Sequence, residues 1–229
     1  MNSAVSLSTL EAAAIAQPSV AARPARRRDA VEIAAAFGML EIALWTPKAA
    51  QLRWGIAMLA VVALLTVFGR RTATDLGLGA LGFRGALVLL PISAGVCALL
   101  LVTGWLDGWL HSPSSSVAVM HGLGYVAWAF AQQYMAQSFY YVRFESLVGS
   151  RRAMWIAAAL FSVAHLPNPV LLPATFFAGL AFTYAFRRYR NLYPIAAAHA
   201  MLGLALSVAL PMSWTHQMRV GLGYLLLHH

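Results

Sequence analysis

The stretch GALVLLPISAGVCALLLVTGW, residues 85–105, contains no charged side chain. Coiled as an α-helix at 1.5 Å per residue it is about 31 Å long, close to the ~30 Å hydrocarbon core of a bilayer. It reads as a membrane-spanning helix, and similar stretches lie on both sides of it. The apolar segments before it are 31–45, closed by Thr46-Pro47, and 54–68, followed by Arg70-Arg71. Both are short for a bilayer, which the snorkelling of flanking Arg side chains accommodates. Those after it are 117–144, 152–166, 170–186 and 194–210, the last with Pro194 at its first turn, where helices accept proline. The fold expected is all-α: a polytopic membrane bundle of about seven transmembrane helices.

Composition supports this and excludes other classes. Hydrophobic residues make up 61% of the 229 and charged ones 10%, against roughly 45–50% and about 25% in soluble domains. The net charge of +9 does not point to nucleic acid, because the basic residues sit in short clusters between apolar segments. Cys97 has no partner cysteine, which removes any disulfide framework and any Cys-based zinc site. Residues 1–29, rich in Ala, Ser, Pro and Arg, read as a disordered cytoplasmic tail without the layout of a signal peptide. Residues 30–229 read as a single membrane domain, in which the segment after Trp214 lies at the interface and His228-His229 has the look of a tag remnant.

Orientation follows from counting Lys and Arg in alternate connections. With the N-terminus inside, the cytoplasmic connections hold thirteen and the opposite ones only Lys48, Arg53 and Arg219. The expected location is a bacterial inner membrane with the N-terminus cytoplasmic.

Polar residues at membrane depth are costly and therefore face the bundle interior. Those that qualify are Glu41, Gln132, Gln133, Gln137, His165 and His199. Gln133, Gln137, Tyr141 and Glu145 recur every four residues and form one stripe on the fourth helix. Interhelical hydrogen bonding accounts for such a stripe equally well, whereas two histidines on separate helices beside it favour a site. His165 follows Phe161 by one helical turn and precedes Leu166-Pro167-Asn168-Pro169, which must stop the helix. Glu32 lies nine residues before Glu41, on the opposite helix face, so the two cannot form a carboxylate pair.

The segment from Gln132 to Met201 resembles the glutamic intramembrane proteases of the CAAX-processing and bacteriocin-processing family, the CPBP or Abi family, whose core would cover about 117–211 here. Phe161-Ser162-Val163-Ala164-His165, continuing into Leu166-Pro167-Asn168-Pro169, looks like the second motif, and Asn191 to Ala200, with His199, looks like the third. The first motif of the family is Glu-Glu, three residues, then Arg; here Gln132, Gln133 and Gln137 occupy those positions. The third motif commonly has Asn four residues after its His, where this chain has Gly203.

The resemblance implies a helical bundle around a water-filled cavity. It places Gln132 and Gln133 where the water-activating pair belongs, Gln137 at the Arg position of the same catalytic motif, and His165 and His199 where oxyanion donors belong. Phe161, Tyr141, Asn168 and Glu41 are the expected substrate-contacting residues. A neutral Gln holds a water but accepts no proton, so it is not a general base. Three readings stay open: a hydrolase whose base is His165, His199 or Glu41; a binder of a lipid, isoprenoid or hydrophobic peptide; and non-hydrolytic chemistry on such a ligand. No cofactor is expected, although a metal at His165 and His199 is compatible with the third reading. The expected partners are membrane lipids and a lipidic or hydrophobic peptide substrate.

Overall fold

The computed structural model describes residues 23–69, 71–111 and 116–227. Residues 1–22, Arg70, most of the serine-rich loop and His228-His229 lie outside them. Among the described residues every regular element is a helix. Seven long rods follow one another: α1 (Arg23–Leu44), α2 (Lys48–Val67), α3 (Leu89–Leu106), a composite rod, α6 (Ser150–Val163), α7 (Leu171–Tyr189) and α8 (Tyr193–Ala209). The composite rod is α4 (Ser116–Gln133), a π-helix (Tyr134–Tyr141) and α5 (Val142–Val148). Short turns at Met212–Thr215 and Leu222–Leu225 complete the chain.

Two helical segments, Lys48–Val67 and Phe83–Leu106, are long and apolar enough to cross a membrane, and α8 is a shorter apolar helix. Their outer faces carry Leu52, Ile56, Leu64, Ile92, Leu99, Val102 and Trp105, all exposed. In water a contiguous apolar skin of this kind is a liability, whereas hydrocarbon is its matching solvent.

Consecutive rods run in alternating directions, as their end contacts show. At one end the Arg71 guanidinium donates to Asp29 at 2.8 Å and Arg143 Nη2 lies 2.7 Å from Glu32. Arg190 pairs with Glu145 and Ser146 hydrogen-bonds Asp29 at this end too. At the other end Gly221 N donates to Leu166 O at 2.7 Å, His111 N donates to Val208 O at 3.1 Å, and Trp109 meets Trp214 with ring centroids 4.8 Å apart.

Small residues set the closest helix approaches. A Cβ on Gly104 would lie 2.5 Å from Ala209 O, and one on Gly179 would lie 3.3 Å from Ala158 Cα. Packing between helices in an apolar solvent depends on such close contact, since lipid tails are as apolar as leucine.

The π-helix sits at the centre, with Met135 to Tyr141 all buried. Tyr141 belongs to a core with Phe182, Phe186, Leu192 and Ile195, while Phe139 and Tyr140 belong to a second core with Ala36, Leu40, Met58 and Val62. One widened turn thus joins the two halves of the bundle.

The expected tail ran to residue 29; residues 1–22 of it lie outside the described residues, and residues 23–29 belong to α1 instead. Proline is tolerated at a helix start, where Pro24 stands, and arginine is a good helix former. Arg28 Nε also donates to Glu32 Oε1 at 2.6 Å, an i,i+4 pair that supports the first turns.

Candidate functional site

The four-residue stripe on the composite rod runs across the π-helix. In an α-helix a step of four residues gains about 40° around the axis. The wider π turn reverses that drift over Tyr134–Tyr141, and Gln133, Gln137, Tyr141 and Glu145 are all buried. The stripe then divides. Tyr141 Oη donates to Glu145 Oε1 at 2.7 Å, and Glu145 also pairs with Arg190. Gln137 Nε2 donates to Gln133 Oε1 at 3.2 Å, and Gln133 Nε2 lies 2.9 Å from His199 Nδ1.

This relay assigns the protons on both imidazoles. With Gln133 Oε1 taken by Gln137, its Nε2 faces His199 as a donor, so His199 Nδ1 accepts and Nε2 carries the hydrogen. His165 Nδ1 lies 2.7 Å from Phe161 O, and a carbonyl only accepts, so Nδ1 donates and Nε2 keeps its lone pair. The two imidazoles thus differ in character: one presents an N–H, the other a basic nitrogen.

Phe161 stands between them. Its ring centroid is 4.9 Å from His165 and 5.7 Å from His199, edge-on to both. Phe182 lies 5.9 Å from His199 on a further side. These contacts fix the imidazole planes through packing rather than charge.

Both histidines line a partly open cavity of about 460 Å³. Its polar wall is Gln132, Tyr125, Tyr140, Thr175, His165 and His199, and most of the rest is aliphatic or aromatic, from Leu40 on α1 to Leu202 and Leu206 on α8. That size and lining match pockets for apolar small molecules with a few orienting polar groups.

The structure sorts the residues expected from sequence. Gln132, Phe161, His165 and His199 line the cavity. Gln133 and Gln137 stand behind His199 and are buried to 0% and 1% exposure. Gln137 Oε1 has no partner among the described residues.

Three residues expected to touch substrate are absent from the cavity wall. Tyr141 is engaged by Glu145 in the core. Asn168 is consumed by the backbone: its Oδ1 accepts from Val170 N and Leu171 N, while Nδ2 donates to Thr215 O and Arg219 O. It caps the start of α7 and ties down the segment after α8. Glu41 Oε2 accepts from Trp45 Nε1 at 3.0 Å, and its Oε1 is buried without a partner among the described residues.

Sequence reasoning passed over Tyr125, Thr175, Met218 and Val220, which also line the cavity. Tyr125 was findable, being seven residues, or two turns, before Gln132 on the same helix face. Among the described residues no group of three His, Cys, Asp or Glu is placed to hold a metal ion. The His165 and His199 pair alone falls one ligand short of a catalytic zinc site.

Antiparallel helices with an apolar outer skin, packed around a largely apolar cavity that holds two histidines, define an all-helical membrane protein. A family model described as type II CAAX prenyl endopeptidase Rce1-like matches residues 54–205, well over half of the chain, and the chain belongs to that family. The match spans α2 to α8 and so contains both histidines, Tyr125 and the three glutamines. No curated protein and no solved structure gives a significant match.

Proposed function

We propose that this protein binds a lipidic or prenylated chain, or a membrane-embedded hydrophobic peptide, in the 460 Å³ cavity, and that it does so without glutamate-driven proteolysis. The observation that carries the reading is the amide relay Gln137, Gln133, His199. Gln132 and Gln133, at the positions that would activate water, are neutral, and Gln133 is engaged in holding an imidazole as an N–H donor. A side-chain amide cannot take the proton of an attacking water. Loss of a general base typically costs about 10²–10⁴ in rate. The His199 Nε2–H is instead suited to hold a ligand carbonyl in place, and the aliphatic wall suits the chain attached to it.

The seven rods are read as seven spans with the N-terminus cytoplasmic in a bacterial inner membrane. The basic connections gathered at the end of Arg71, Arg143 and Arg190 support this orientation.

The test is native mass spectrometry of the protein in lipid nanodiscs incubated with an S-farnesylated peptide. Retention of the intact peptide is the expected result. Release of cleavage products, or no retention, overturns the reading.

One observation favours a second reading, in which the chain hydrolyses such a substrate. His165 lines the cavity with Nε2 unprotonated, and a basic nitrogen there can deprotonate a water. Cleavage that disappears in His165→Ala but persists in Gln133→Met establishes that alternative.

A further inference from the structure

Gly203 lies one turn after His199 on the same face of α8, and its lack of a side chain has a specific consequence. A Cβ built there would fall 1.8 Å from Tyr125 Oη, 2.6 Å from Cζ and 2.8 Å from Cε1. The Tyr125 phenol therefore occupies the volume that any other residue at 203 would fill. No alanine, the smallest alternative, fits without expelling the ring.

The phenol is a wall of the cavity, and its ring meets the His199 imidazole edge-on with centroids 6.3 Å apart. Val96, Leu100, Leu202 and Leu206, which share the cavity lining with it, are apolar. Among the described residues its hydroxyl has no hydrogen-bond partner. Tyr140 also lines the cavity, but its Oη is buried away from solvent without a partner among the described residues, and Tyr141 Oη is given to Glu145. A phenol packed against glycine backbone, with its O–H uncommitted at a ligand-sized cavity, is a donor held ready for a ligand atom.

We infer that Tyr125 is a ligand-contacting residue, whose hydroxyl, one helical turn from the His199 imidazole, donates a hydrogen bond to the carbonyl-bearing end of the ligand, and that Gly203 is the residue that admits it. The ligand class this selects is an apolar chain ending in an ester or amide, in preference to a bare hydrocarbon. Two donors along one wall read two successive acceptor atoms, and the aliphatic lining takes the chain. The inference rests on the binding function proposed above and adds the group that gives it chemical selectivity.

The experiment compares two probes on the nanodisc-embedded protein: N-acetyl-S-farnesylcysteine methyl ester, which carries carbonyls, and farnesyl methyl sulfide, which carries none. Tyr125→Phe keeps the ring and removes only the O–H, so packing is preserved. The expected result is that it weakens the ester probe about three- to tenfold, as loss of one neutral hydrogen bond does, and leaves the sulfide within a factor of about two. Gly203→Ala should weaken both probes, because the displaced ring enters the cavity, and adding Tyr125→Ala to it should restore the sulfide alone. Equal affinity of wild type and Tyr125→Phe for the ester overturns the role of Tyr125 and leaves the binding function standing. Failure of the wild type to retain either probe overturns the binding function, and this inference with it.

Discussion

Replacing Gln133 by methionine isolates the amide relay that distinguishes this site. The side chain is fully buried, and methionine keeps nearly its volume while deleting both hydrogen-bonding groups. Two partners are orphaned: His199 Nδ1 loses its donor and Gln137 Nε2 loses its acceptor. In a water-soluble protein each orphaned buried group costs about 1–3 kcal/mol. Between membrane helices a hydrogen bond averages about 0.6 kcal/mol, with a maximum of about 1.7, since the helices find other partners when separated. The expected loss is therefore about 1–4 kcal/mol, nearer the lower figure if the helices unfold within the lipid. Equilibrium unfolding in mixed micelles of Gln133→Met, Gln137→Met and the double variant measures it. Once Gln133 is gone, Gln137 has nothing left to hold, so its further replacement should cost less than about 0.5 kcal/mol. Strict additivity of the two losses, or a Gln133→Met variant as stable as wild type, refutes the relay and with it the assigned His199 tautomer.

Three further outcomes follow from other contacts. Arg143, with its side chain 2% exposed and 2.7 Å from Glu32, should lose about 3–5 kcal/mol of stability when changed to Met, whereas Arg28→Met, at an exposed partner of the same carboxylate, should lose less than about 1, both read by thermal unfolding. Asn168→Ala removes four hydrogen bonds to backbone, so cleavage by trypsin after Arg219 should accelerate at least severalfold; an unchanged rate means that the amide does not hold that segment. His199→Ala should weaken binding of the farnesylated ester more than that of farnesyl methyl sulfide, and equal losses for both would mean that the imidazole contributes only packing.

Much of the helix pattern was legible because apolar runs are long and their stops are explicit. Thr46-Pro47, Pro167 to Pro169 and Pro194 each fall at a helix boundary, where the geometry of proline leaves few choices. The histidine pair was legible for a related reason, since a polar ring in an apolar run must turn inward. The π-helix was not, because nothing in YMAQSFYY distinguishes a turn closed by i→i+5 bonds from one closed by i→i+4; the choice is made by packing against both cores. Asn168 looked like a ligand contact because it follows His165 so closely, yet a short amide beside a proline serves the backbone first. The start of α1 was hidden by the arginines, whose charge suggests a tail although their long stems favour helix.

Beyond α8, His216, Gln217 and Met218 run consecutively with φ of 49°, 54° and 57°, a left-handed path that costs side-chain-bearing residues about 1–3 kcal/mol each. Asn168 grips the carbonyls on both flanks of this path, and the path turns Met218 and Val220 toward the pocket. As the chain is made, all seven rods are therefore complete before the chamber has its last wall.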